Sequence, residues 1–96
     1  MPYYRVFLEG GNFWLQMDDA PQRMGFYTTR FVQAASVDES GKAAVGLVRS
    51  TERLKPLNHP DDPPQILVRE IEEVDEADVP GVVSGFAFFP DEGEAN

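Results

Sequence analysis

Cysteine is absent from the 96 residues, and histidine occurs once, at His59. Without thiols there are no disulfides, no thiolate metal sites and no cysteine nucleophile, although the compartment stays open, since cysteine-free chains occur in all of them. Serine catalysis has equally little to work with. Ser84-Gly85 lacks the preceding glycine of a nucleophile elbow, and no second histidine or lysine stands nearby as a base. No segment approaches the ~20 apolar residues that span a bilayer, and the start, MPYYRVFLEG, carries Arg5 and Glu9 where a signal peptide needs its apolar run. A soluble cytoplasmic protein that contacts no membrane is the expectation.

Basic residues are missing from the C-terminal end. The eight Lys and Arg all lie at or before Arg69, where eight acids balance them. From Glu70 onward there are nine acids and no base, and this end alone accounts for the net charge of −9. Phosphate contacts need Lys and Arg, so nucleic acid is not an expected partner; a basic protein is a suitable one, and simple solvation of the domain is the alternative.

The stretch that orders the rest is FYTTRFVQAASVDESGKAAVGLVRS, Phe26 to Ser50. Aromatic and β-branched residues from Phe26 to Val32, without Gly or Pro, read as a strand. Ser36 followed by Glu39 is a capping box that starts a helix. Val37, Ser40, Gly41, Ala44, Leu47 and Val48 then recur at spacings of three and four, which predicts one face laid on a sheet. Gly41 and Gly46 each cost a helix about 1 kcal/mol relative to Ala, and Gly41 on the inward face suits close approach to the sheet.

Before this stretch, Tyr3 to Glu9 alternates, with Tyr4, Val6 and Leu8 on one side and Tyr3, Arg5, Phe7 and Glu9 on the other. Glu9-Gly10-Gly11-Asn12 predicts a turn, Phe13 to Met17 a short returning strand, and Asp18 to Arg23 with Pro21 a break before a long strand from Met24. After it, four prolines between Thr51 and Pro64 predict a stiff extended loop. Gln65 to Val74 reads as a strand leaving the core at its acidic end, Pro80-Gly81 as a turn, and Val82 to Phe89 as a final strand.

The expectation is an α+β domain over residues 1–89 with a frayed acidic tail over 90–96: a mostly antiparallel sheet of about three to five strands with one helix on one face, either a ferredoxin-like half or a β-β-α-β layout. The first strand should sit between the strands at Phe26 and Gln65. One helix leaves the other face open, exposing some of Tyr3, Phe7, Phe26 and Phe86 or Phe88, and a patch of that size favours a homodimer.

Chemistry-bearing candidates are few. Arg5, Arg30 and Arg69 lie near the middles of three strands, and in a favourable register would form an anion-binding row; pairing with acids such as Glu9 or Glu70 is the alternative. His59, Asp61 and Asp62 stand in a proline-stiffened loop as a weak metal or acid/base candidate, though Asn, Asp and Pro are also what turns require. Gly10-Gly11 is followed by neither a Lys nor a helix, so no nucleotide or other cofactor is expected. Trp14 is a candidate anchor for a partner, and Glu70, Glu72, Glu73, Asp75 and Glu76 form the acidic surface for a basic one.

The segments MGFYTTRFV (Met24 to Val32) and DPPQILVREIEEV (Asp62 to Val74) resemble those of short, uncharacterised bacterial proteins, a resemblance that covers most of the chain and implies no activity or site residue. The strand-hairpin-helix order is also similar to antitoxin domains of the HicB type, without the glycines and aromatics that those place before the helix. The functional expectation is a non-catalytic interaction module that pairs with itself. An antitoxin or immunity-like inhibitor of a basic protein, and a binder of small anions through the arginines, are the alternatives.

Overall fold

The computed structural model describes residues 1–51, 54–81 and 85–91. In chain order these form β1 (Tyr3–Met17), β2 (Ala20–Gln33), α1 (Val37–Arg49), β3 (Gln65–Val74), a 3-10 turn (Glu76–Asp78) and β4 (Ala87–Pro90). The strands make one antiparallel sheet in the order β3-β1-β2-β4, and α1 packs on one face of it. The fold is therefore α+β, with β1 central and antiparallel to both β2 and β3, as the sequence implies. No helix among the described residues is long and apolar enough to cross a membrane.

The turn expected at Gly10-Gly11 does not form. β1 runs through it, and the register passes from Gly10↔Phe26 to Phe13↔Met24, so Gly11 and Asn12 together stand against Gly25 alone. That extra residue makes a β-bulge, with Asn12 in the left-handed region at φ 57, a conformation that Asn tolerates better than most residues. The bulge also resets the side-chain alternation. Tyr4, Val6 and Leu8 face the core before it, and Phe13 and Leu15 face the core after it. The hairpin turns instead at Asp18-Asp19, with Asp18 at φ 46 and Met17 paired to Ala20. Pro21 does not break β2, because it lies at the strand's exposed beginning, opposite Gln16.

Ser36 caps α1 as expected, its Oγ accepting from the Glu39 amide at 3.1 Å. Ser40, Gly41, Ala44 and Val48 are buried against the sheet, whereas Val37 and Leu47 are 55% and 49% exposed. Leu47 is rotated to the edge of the buried stripe, and Val37 is the first helical residue, at the mouth of the helix–sheet contact. Phe26 is fully buried at the centre of the core, with Phe13, Phe86 and Phe88 around it at centroid distances of 5.0, 5.1 and 6.0 Å. Burying such a ring contributes roughly 3 kcal/mol.

β4 pairs with β2 from Tyr27↔Ala87 to Met24↔Pro90. The expected strand from Val82 to Phe89 is thus seen from Ala87; Val82, Val83 and Ser84 lie outside the described residues, as do residues 92–96 of the acidic tail. Asp91, the first residue after β4, donates its amide to the Arg23 carbonyl at 3.0 Å.

Candidate functional site

The two faces of the sheet differ in what covers them. The helix face holds Tyr4, Val6, Leu8, Phe26 and Val32, all buried. The opposite face has no layer over it among the described residues, and three aromatic rings line up across it. Phe7 stacks on Tyr27 at 5.6 Å with 10° between planes, and Tyr27 meets Phe89 at 5.1 Å. Tyr27 is 41% exposed. Of the aromatics assigned to this face from sequence, Tyr3 and Phe7 belong to it. Phe26, Phe86 and Phe88 do not, because the pairing of Phe26 with buried Gly10 and with Phe88 turns them toward the core.

The same registers divide the arginines. Arg30 pairs with Val6 and so lies on the helix face, while Arg5 and Arg69 lie on the open face; the three do not form a row. Arg5 Nη2 reaches Glu70 Oε1 at 2.7 Å and its Nε reaches Glu72 Oε1 at 3.2 Å, and these hydrogen bonds, Glu70's first, raise its pKa above the ordinary arginine value. Arg69 Nε donates to Glu9 Oε1 at 2.6 Å. Arg30 is 6% exposed, and its guanidinium carbon lies 4.9 Å from the centre of the Phe86 ring. It donates to Thr28 Oγ1 and to the Thr29 carbonyl, and burial lowers its pKa. No carboxylate among the described residues pairs with it.

The acidic run separates into two parts. Glu70 and Glu72 are held by Arg5. Glu73, Asp75, Glu76 and Asp78 have no basic partner among the described residues and are exposed. Trp14, 37% exposed, lies on the open side of the hairpin's far end, opposite Arg23.

His59, Asp61 and Asp62 are not gathered into one ligand set. His59 Nδ1 accepts from the Asp61 amide at 3.2 Å and stands 3.6 Å from Asp61 Oδ2, whereas Asp62 Oδ1 accepts from Asn12 Nδ2 at 2.9 Å. Among the described residues no group of three or more His, Asp or Glu is placed to hold a metal ion.

Sequence reasoning missed the polar hub at the bulge. Asn12 donates its amide to Asp91 Oδ2 at 2.7 Å and its Nδ2 to Asp62 and Pro63, and its carbonyl accepts from Asn58 Nδ2 at 2.7 Å. Asn58 Oδ1 also accepts from the Trp14 amide, and the Leu57 amide donates to the Trp14 carbonyl. The proline-rich loop thereby covers the outer edge of β1 beyond Gly11, where β3 pairing stops. The only sequence signal for this was an Asn after two glycines.

Comparison of the chain with protein-family models, with curated proteins and with solved structures gives no match in any of the three.

Proposed function

We propose that the protein is a non-catalytic interaction module that pairs with a second copy of itself through the open face of its sheet. The observation that carries this reading is the ring row Phe89–Tyr27–Phe7 on a face that no element covers among the described residues. Aromatics clustered on one accessible face are the composition of an interface core, and the flanking Arg5–Glu70 and Arg69–Glu9 pairs supply a polar rim. Light scattering at micromolar concentration tests it. A mass of two chains is expected, falling to one chain in Tyr27→Glu and unchanged in Leu57→Glu, which places the same charge on an exposed leucine of the loop. A wild-type mass of one chain removes the proposal.

A second reading, an inhibitor-like contact with a basic protein, is favoured by the four exposed acids from Glu73 to Asp78 that no arginine or lysine neutralises among the described residues. It uses a different surface and is compatible with the dimer.

A further inference from the structure

β3 is the outer strand of the sheet on one side, its outer edge unpaired among the described residues, and that edge borders an apolar groove between the strand and α1. Val37, Gly41 and Val45 line the groove from the helix, Val68 and Ile71 from the strand, and its volume is about 420 Å³. A second apolar hollow of about 370 Å³ lies further along the same helix–strand seam, with Ile66, Leu54 and Pro64 among its walls. The strand's helix-side residues Ile66 and Ile71 mark the two wells. Arg69 is the extra residue where the β1–β3 register shifts, from Leu8↔Val68 to Phe7↔Glu70, so the wells are about four strand steps, or ~13 Å, apart.

Gly41 keeps the first well open. A Cβ there would already touch Ile71 Cδ1 at 3.4 Å and Val68 Cγ2 at 3.7 Å, so it is the missing side chain that leaves the space, and a longer side chain would fill the hollow. Lys42 in the wall of the first well stands 3.4 Å from Asp38, and Arg49 stands in the wall of the second. The end of β3 nearest the Ile71 well is acidic: Glu73, Asp75 and Glu76 follow there without basic partners among the described residues.

We propose that this seam takes an extended basic peptide segment by strand addition: the segment pairs its main chain with the β3 edge, drops apolar side chains four residues apart into the two wells, and sets Lys or Arg at its N-terminal end against Glu73, Asp75 and Glu76. Main-chain pairing on an open edge supplies affinity, and alternate side chains in a flanking groove supply selectivity. The antiparallel sense follows the rest of the sheet and puts the segment's N-terminus at the acidic end of β3. The charge preference rests on the second reading above, and the groove supplies its address.

The test uses three synthetic peptides, acetyl-KKITTTITT-amide, its EE counterpart, and the KK peptide with alternate amides N-methylated on the pairing edge, titrated into the full chain labelled with nitrogen-15. Expected are amide shifts along β3 and the first two turns of α1 with the KK peptide, and binding weaker by about tenfold or more with either of the others. Gly41→Leu, which fills the first well, and Val37→Lys, an exposed position where folding is not at risk, should each weaken the KK peptide by a similar factor. Equal binding of KK and EE peptides overturns the charge preference and the second reading with it. Charge-selective binding that Gly41→Leu and Val37→Lys leave intact overturns the groove while sparing that reading. No binding of the KK peptide at millimolar concentration overturns the proposal.

Discussion

The ring of Phe26 occupies the space that a side chain on Gly10 would need, with Phe26 paired directly across from Gly10 in the β1–β2 ladder. A glycine in a strand interior normally weakens the strand; here it lets the largest fully buried side chain lie flat against the backbone.

Gly10→Ala should therefore behave as an overpacking substitution. A methyl group at this position must push back a buried ring or the strand that carries it, which costs roughly 3 kcal/mol. Urea denaturation followed by far-UV circular dichroism should show a lower midpoint with an unchanged slope.

Gly46→Ala should do the opposite. Nothing lies within 4 Å of the Cβ it would gain, the position is exposed, and α1 continues on either side of it. Replacing a mid-helix glycine with alanine there should raise stability by about 1 kcal/mol in the same assay. The contrast between two glycines of one chain separates a packing requirement from a helix-propensity defect.

Asn58→Ala should release the proline-rich loop. Its side chain holds the Asn12 carbonyl, the Trp14 amide and the Asp62 carbonyl. Losing these partners leaves the part-buried Asn12 carbonyl and the exposed Trp14 amide on the edge of β1 without their protein partner, at a cost of about 1 kcal/mol. Hydrogen exchange should quicken at Trp14 and Leu57 while the amides of Val6 and Leu8 keep their protection, and the emission of Trp14 should shift.

What the sequence made legible follows from how local each signal was. The Ser36 cap, the α1 stripe of Ser40, Gly41, Ala44 and Val48 and the alternation of Tyr4, Val6 and Leu8 are set by neighbours within four residues, and each is found where its pattern puts it; Val37 and Leu47, assigned to the same stripe, are exposed. Gly10-Gly11-Asn12 misleads because a glycine pair serves a tight turn and a bulge equally well. Which one forms depends on Phe26, sixteen positions away, packing over Gly10. The arginine row depended on the same unseen register: one residue of difference moves Arg30 to the opposite face from Arg5. The hub of Asn12, Asn58, Asp62 and Asp91 joins three segments distant in sequence, so no spacing announces it.

Arg30 is the residue whose replacement tells most about why the core is arranged as it is. It lies 6% exposed on the helix face, hydrogen-bonded to Thr28 and the Thr29 carbonyl and stacked under Phe86, with burial lowering its pKa and no carboxylate opposite among the described residues. A buried cation held only by neutral acceptors and a ring bears a desolvation penalty that such contacts offset in part, and an apolar side chain of similar length avoids it. Thr28 Oγ1 keeps its own bond to the Gly85 carbonyl at 2.6 Å when the arginine is removed, so the change strands little polar surface. Arg30→Met should accordingly raise the urea midpoint, by about 1 kcal/mol in stability. Arg30→Lys should lower it, because an ammonium is more strongly hydrated than a guanidinium and lacks the planar face that lies on Phe86. If methionine instead destabilises as much as lysine does, the guanidinium's bonds to Thr28 and Thr29 outweigh its desolvation, and the stack beneath Phe86 is a stabilising feature of the core.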